Sequence, residues 1–169
     1  MRRRSLTVTV VALAVPLALS GPLTPAWAAD SKPKPSTLTL IGSDAVVGIS
    51  DLGAKGPTPG DTRTLSLALS STKGAPMGRA SIVQVLVLQS GAVGTAMKTV
   101  VLSLPRGSIS VVGTTEFTDI TDPASRPNEA TEQLAVVGGT GAYRGASGQV
   151  DIAVLPEFKS RWTISLDRK

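Results

Sequence analysis

Residues 37–166 form an almost unbroken series of apolar and β-branched runs, cut at short intervals by glycine and proline. Two of the runs alternate cleanly. Leu65, Leu67 and Leu69 alternate with Ser66, Ala68 and Ser70, and Phe158, Trp162, Ile164 and Leu166 share one parity against Lys159, Arg161, Thr163 and Ser165. A two-residue period belongs to a strand with one buried and one wet face. Further runs at 79–89, 95–104, 108–118, 131–137 and 143–155, with 37–50 ahead of them, bring the number of strands to eight. Nowhere in this stretch do apolar residues recur for long at three- and four-residue spacing, so the domain reads as all-β. The breakers, among them Gly53, Gly56, Pro59 and Gly60, Gly74 and Pro76, Gly91, Pro105 and Gly107, Pro123 and Pro127, imply short connections and hence antiparallel neighbours. Eight antiparallel up-and-down strands close into a small β-barrel whose interior is filled or holds one small ligand. An open sandwich is the alternative.

Ahead of the strands stands MRRRSLTVTVVALAVPLALSGPLTPAWAAD. A charged start, a short apolar centre and an Ala-x-Ala exit make residues 1–28 a secretory signal peptide cut after Ala28. Pro16 and the Ser20-Gly21-Pro22 sequence leave the apolar run too short for a membrane span. The pair Arg3-Arg4 resembles a twin-arginine signal without choosing the export route. Residues 29–36 read as a flexible, proline-bearing linker and 37–169 as one barrel domain. The expectation is a secreted protein with no membrane attachment once the signal is removed. It has no cysteine, so its stability rests on its core and not on disulfides.

The basic surplus, 17 Lys and Arg against 12 Asp and Glu, shrinks once Arg2, Arg3 and Arg4 leave with the signal. What remains is no nucleic-acid footprint. Beyond Trp27 the only aromatics are Phe117, Tyr143, Phe158 and Trp162, too few for a base-stacking platform. Histidine is absent altogether. That removes Ser-His-Asp and Cys-His catalysis, histidine-ligated zinc and the commonest general base near neutral pH. No metal site is implied. Any proton transfer falls to Asp, Glu, Tyr143, Lys or Arg.

The stretch AVVGGTGAYRGASGQV, residues 135–150, sets a glycine cluster around one tyrosine and one arginine. It lacks the spacing of a dinucleotide fingerprint, because Arg144 stands where the third glycine belongs and no helix pattern follows. It also lacks the final glycine of a nucleophile turn around Ser147. The bottom-up reading is a strand reversal, with Gly138, Gly139 and Gly141 supplying positive φ and Gly145 and Gly148 relieving crowding in a bent strand.

This stretch resembles the signature of the dirigent and allene oxide cyclase-like barrels, including exported actinobacterial relatives: Val-Val-Gly-Gly-Thr-Gly, then Phe or Tyr and Arg. DLGAKGPTPGD (51–61) and RGSISVVG (106–113) resemble further segments of that family, in the same order. The resemblance implies an eight-stranded barrel, often a homodimer or homotrimer, with an apolar cavity and no cofactor. Its ligand is a small apolar or reactive molecule whose cyclisation or stereoselective coupling the barrel steers, by holding one conformer of a flexible substrate. A non-catalytic carrier and a structural cell-envelope protein are the rivals. Residues matching or flanking the motifs make the candidate site. Arg144 and Asp51 match family positions. Asp44 is an acid on the parity of Leu40 and Val46, and Arg144, Asp51 and Asp44 are the candidates for catalysis. Pro57, Asp61, Glu116 and Tyr143 are candidates for substrate binding, Asp61 with the alternative of holding a turn, and Asp151 is a weaker one. Val46 takes the place of the functional glutamate of the plant allene oxide cyclases, so the resemblance does not carry that particular activity.

Overall fold

A computed structural model describes residues 36–167. Residues 1–28, expected as a signal peptide, and all of the expected linker except Ser36 lie outside the described residues. The chain runs β1 (Ser36–Ser50), β2 (Thr62–Ser71), β3 (Pro76–Ser90), β4 (Val93–Leu104), β5 (Gly107–Phe117), β6 (Thr131–Gly139), a single 3₁₀ turn (Gly141–Tyr143), β7 (Gly148–Val154) and β8 (Ser160–Leu166). Each strand pairs antiparallel with the next, and β8 pairs with β1 from Ser36↔Leu166 to Gly42↔Ser160, closing the barrel. The sandwich alternative is thereby set aside.

Alternation decides what fills the interior. On β4, Ala96, Lys98, Val100, Leu102 and Leu104 are buried while Met97, Thr99, Val101 and Ser103 are exposed. In register, Leu67, Ala80, Leu102 and Ile109 form one inward row, and Leu65, Ile82, Val100, Val111 and Val136 the next. With Leu40, Val150 and Ile164 they pack one half of the barrel solid. That half lies beside the connections 72–75, 105–106 and 140–147, and it closes one end.

Two strand boundaries differ from the sequence reading. The seventh strand starts at Gly148, not at Tyr143, because residues 140–146 are stitched onto the neighbouring hairpin: Ala142 N–H donates to Arg106 O (2.8 Å) and Thr140 N–H to Ser108 O (2.9 Å). Gly141 sits there at φ 58°, and a Cβ would collide with Arg106 O. The turn thus needs glycine for conformation and for space. The eighth strand starts at Ser160. Glu157 and Phe158, at φ 58° and 57°, are the central residues of a type I′ turn whose ends are Pro156 and Lys159. Phe158 therefore projects from a turn and is 61% exposed where the alternation had placed it inward.

A third irregularity is a bulge in β1, where the register with β2 shifts between Ser43 and Val46. An extra residue in one strand swaps the faces beyond it. Val46 is consequently 68% exposed, although Leu40 on the same parity is buried.

Candidate functional site

Beyond the packed half, the inward positions change character. Arg63 on β2, Gln84 on β3 and Lys98 on β4 are direct register neighbours, and the row ends at Gly113 on β5. Each of the three polar side chains is buried, on the same parity as the leucines, isoleucines and valines below it. Gly113 carries no side chain, and Leu134 Cδ2 fills the space a Cβ would take. Lys98 reaches across β5, and its Nζ donates to Glu132 Oε2 on β6 at 2.7 Å. The two side chains are 5% and 4% exposed.

Around this row, reaching down to the apolar rows below it, lies a cavity of about 80 Å³, walled by Leu65, Leu67, Ile82, Ile152, Phe117 and Trp162 and crossed by Arg63, Gln84, Lys98 and Glu132. At about 30 Å³ per liquid water it takes a very small molecule, or one end of a larger molecule that continues toward the mouth. Trp162 is buried and turns its Nε1–H to Ser160 Oγ (2.8 Å), so its ring face belongs to the wall.

The mouth is built by two loops. In the 118–130 connection, Ser125 O and Pro123 O accept hydrogen bonds from Arg63 Nη1 and Nη2 at 2.9 and 3.1 Å. Phe117 lies 5.3 Å beneath the same guanidinium. Burial lowers the Arg63 pKa below that of a free arginine, the charge of Arg126 adds to this, and Asp122 opposes it. Across the mouth, the Arg126 guanidinium stacks 4.1 Å over the Phe158 ring, joining that loop to the 155–159 turn.

The polar row is not self-satisfied. Arg63 Nε, Gln84 Oε1 and Glu132 Oε1 are buried without a hydrogen-bond partner. Buried polar atoms are nearly always paired in native proteins, and unpaired ones call for water, an ion or a ligand. A donor on one wall and acceptors on the others, around an apolar pocket, can orient a ligand carrying a hydroxyl or carbonyl oxygen.

None of the sequence-derived candidates lines this cavity. Arg144 is exposed at the closed end, with half-buried Tyr143 beside it around a shallow depression that includes Ala146 and Leu166. Arg144, a candidate for catalysis, neither enters the cavity nor covers its mouth, because residues 144–147 are connection and not strand. Asp44 stands on the outer face of the β1 bulge at φ 53°, accepting the Ser43 hydroxyl at 2.9 Å. Its expected apolar neighbourhood is absent because the bulge turns it outward. Asp51 is exposed, with Gly56 N–H 3.4 Å from Oδ2, and Pro57 is half-buried in the same loop. Asp61 is fully buried and ties that loop together: Oδ1 accepts Leu52 N–H and Oδ2 accepts Thr58 N–H, both at 2.6 Å. Burial raises its pKa, but the bonds from Thr58 and Leu52 outweigh this and leave it below the ordinary 3.8. Glu116 is exposed on the wall outside the cavity, and half-buried Asp151 accepts from Gln149 Nε2 at 2.7 Å.

The missed residues were detectable. Arg63, Gln84, Lys98 and Glu132 are the charged or amide residues that interrupt the inward parity of four of the apolar runs.

A closed antiparallel barrel with one solid half and one half hollowed around buried polar groups is an architecture with room for a small ligand. The chain belongs to the allene oxide cyclase barrel like domain family, whose model matches residues 43–165. Among solved structures it is similar to a pyocyanin demethylase (22% identity, 78% of this chain and 99% of that one, TM-score 0.63). It is also similar to a Diels-Alderase from Streptomyces koyangensis (14% identity, 84% and 72%, TM-score 0.59). A pterocarpan synthase dirigent protein shares the fold at 18% identity over 80% and 86% of the two chains, with a TM-score of 0.54. No curated protein matches the sequence.

Proposed function

We propose that this barrel is a secreted protein that binds a small, largely apolar, oxygen-bearing molecule in its open half and holds it in one conformer, steering its cyclisation or stereoselective coupling without a cofactor. The observation that carries this is the set of unpaired buried atoms, Arg63 Nε, Gln84 Oε1 and Glu132 Oε1, around an apolar-walled cavity. Arg63 Nε–H donates to a ligand oxygen. Gln84 and Glu132 accept from a hydroxyl, and Lys98 holds the Glu132 carboxylate in place. Trp162 and Phe117 set the plane of an unsaturated or aromatic portion. Restricting a flexible substrate in this way lowers the entropic part of the barrier and selects one product. The names borne by the similar structures, a Diels-Alderase and a dirigent protein, fit this chemistry.

Titration with phenol, with toluene as the apolar counterpart, tests the reading. The indole N–H resonance of Trp162 is the readout. Phenol is expected to shift it and to bind at least about tenfold more tightly, the equivalent of one lost hydrogen bond to a charged group. Equal affinity for the two, or no response at Trp162, refutes the reading. Binding of a reactive substrate with no change in product distribution leaves a carrier in place of a stereocontrolling barrel.

A further inference from the structure

The barrel wall has a second opening. The β5–β6 ladder is short, ending toward the mouth at Val112↔Ala135. The strands meet again only where Asn128 N–H donates to Glu116 O (2.9 Å) and Phe117 bridges Pro127. Between these two closures lies a window of about 350 Å³, larger than the interior cavity. Its border carries three carboxylates, Glu116, Glu129 and Glu132, and four threonines, with no basic side chain. Lys98 reaches Glu132 from the interior side and does not line the window.

Two of the bordering groups are more than nine-tenths buried and lack partners: Thr115 Oγ1 and Glu132 Oε1. Thr115 borders the window and not the interior cavity. Both atoms accept hydrogen bonds, and the carboxylates of Glu116 and Glu129 on the same border are exposed. Three carboxylates against one ammonium leave a negative surplus. Among the described residues no group of three or more acidic side chains is placed to share a metal ion. The matching ligand is therefore an organic cation with several N–H donors.

We propose that the β5–β6 window is a lateral binding site for a primary ammonium group, seated on Thr115 and Glu132 and surrounded by Glu116 and Glu129. It shares Glu132 Oε1 with the reading of the interior cavity and differs from it in Thr115, Glu116 and Glu129, which border the window alone. The test is an amide NMR titration of the full chain with n-butylammonium chloride, with 1-butanol as neutral isostere and calcium chloride as inorganic cation. Butylammonium is expected to shift the amides of Thr115, Glu116 and Glu132 and to bind at least tenfold more tightly than butanol. The surface variant Glu116→Gln/Glu129→Gln is expected to weaken it at least fivefold while leaving the phenol response of Trp162 intact. Equal binding of butanol, shifts confined to other residues, an unchanged affinity in the variant, or calcium saturating the same amides as tightly each overturns the proposal. Loss of the phenol response with the butylammonium response retained overturns the cavity reading alone.

Discussion

Replacing Lys98 by methionine keeps a long apolar stem and removes the ammonium that lies 2.7 Å from Glu132 Oε2. Both side chains are about nineteen-twentieths buried, and Glu132 Oε1 already lacks a partner. The variant therefore leaves a carboxylate in an apolar wall with neither oxygen paired. Breaking a pair this buried costs about 3–5 kcal/mol, which for a domain of this size corresponds to a fall in melting temperature of roughly 10–20 °C. The double variant Lys98→Met/Glu132→Leu removes both charges and their desolvation penalty. It is expected within about 1 kcal/mol of the parent or above it. Paired urea and thermal melts by circular dichroism give all three values, and phenol binding is read on the same proteins. A single variant within about 1 kcal/mol of the parent refutes the burial argument. A double variant as unstable as the single one refutes the claim that the pair serves the cavity rather than the fold.

Asp61→Asn places an amide NH₂ against one of two backbone N–H donors and is expected to cost about 1–3 kcal/mol. Because the folded pKa of Asp61 lies below 3.8, its stabilisation is complete above the unfolded value of about 3.9 and lost as pH falls through the folded value; the acid limb of a melting-temperature profile is expected to flatten in the variant. Gly141→Val, at φ 58° and against Arg106 O, is expected to lower stability by about 1–3 kcal/mol in urea melts without altering phenol affinity. Arg126→Ala removes the stacking on Phe158, worth about 0.5–1 kcal/mol at an exposed site, and is expected to speed phenol dissociation in line-shape analysis with little change in melting temperature. Arg144→Ala, at the closed end, is expected within about 0.5 kcal/mol of the parent and with unchanged phenol binding; a loss of binding would return Arg144 to the site.

The barrel was legible because each strand carries its own period and its own breakers, as in 65–69 between Gly60 and Gly74. The family motif was legible too, since Gly141 is demanded locally by a positive φ and by contact with Arg106. The cavity residues lie outside the motifs, and the motif residues serve the connections. Asp61 bonds its own loop, Tyr143 packs against the core from a turn, and Arg144 follows that turn. Asp44 failed for a different reason: a bulge reverses parity, and nothing in the Ser43–Val46 sequence announces one. The cavity itself arises from register between strands far apart in sequence, with Lys98 on β4 meeting Glu132 on β6 across the intervening β5. Each of the four polar residues could be flagged as off-pattern in its own run, but their convergence is a property of the closed barrel.

The most direct measurement is a crystal structure of the protein saturated with phenol. The ring should lie in the open half against Trp162, with its oxygen within hydrogen-bond reach of Arg63 Nε, Gln84 Oε1 or Glu132 Oε1. A saturated crystal with phenol only on outer surfaces, and with those three atoms bonded to one another or to ordered water in a closed interior, would contradict the claim that the barrel holds a small oxygen-bearing ligand.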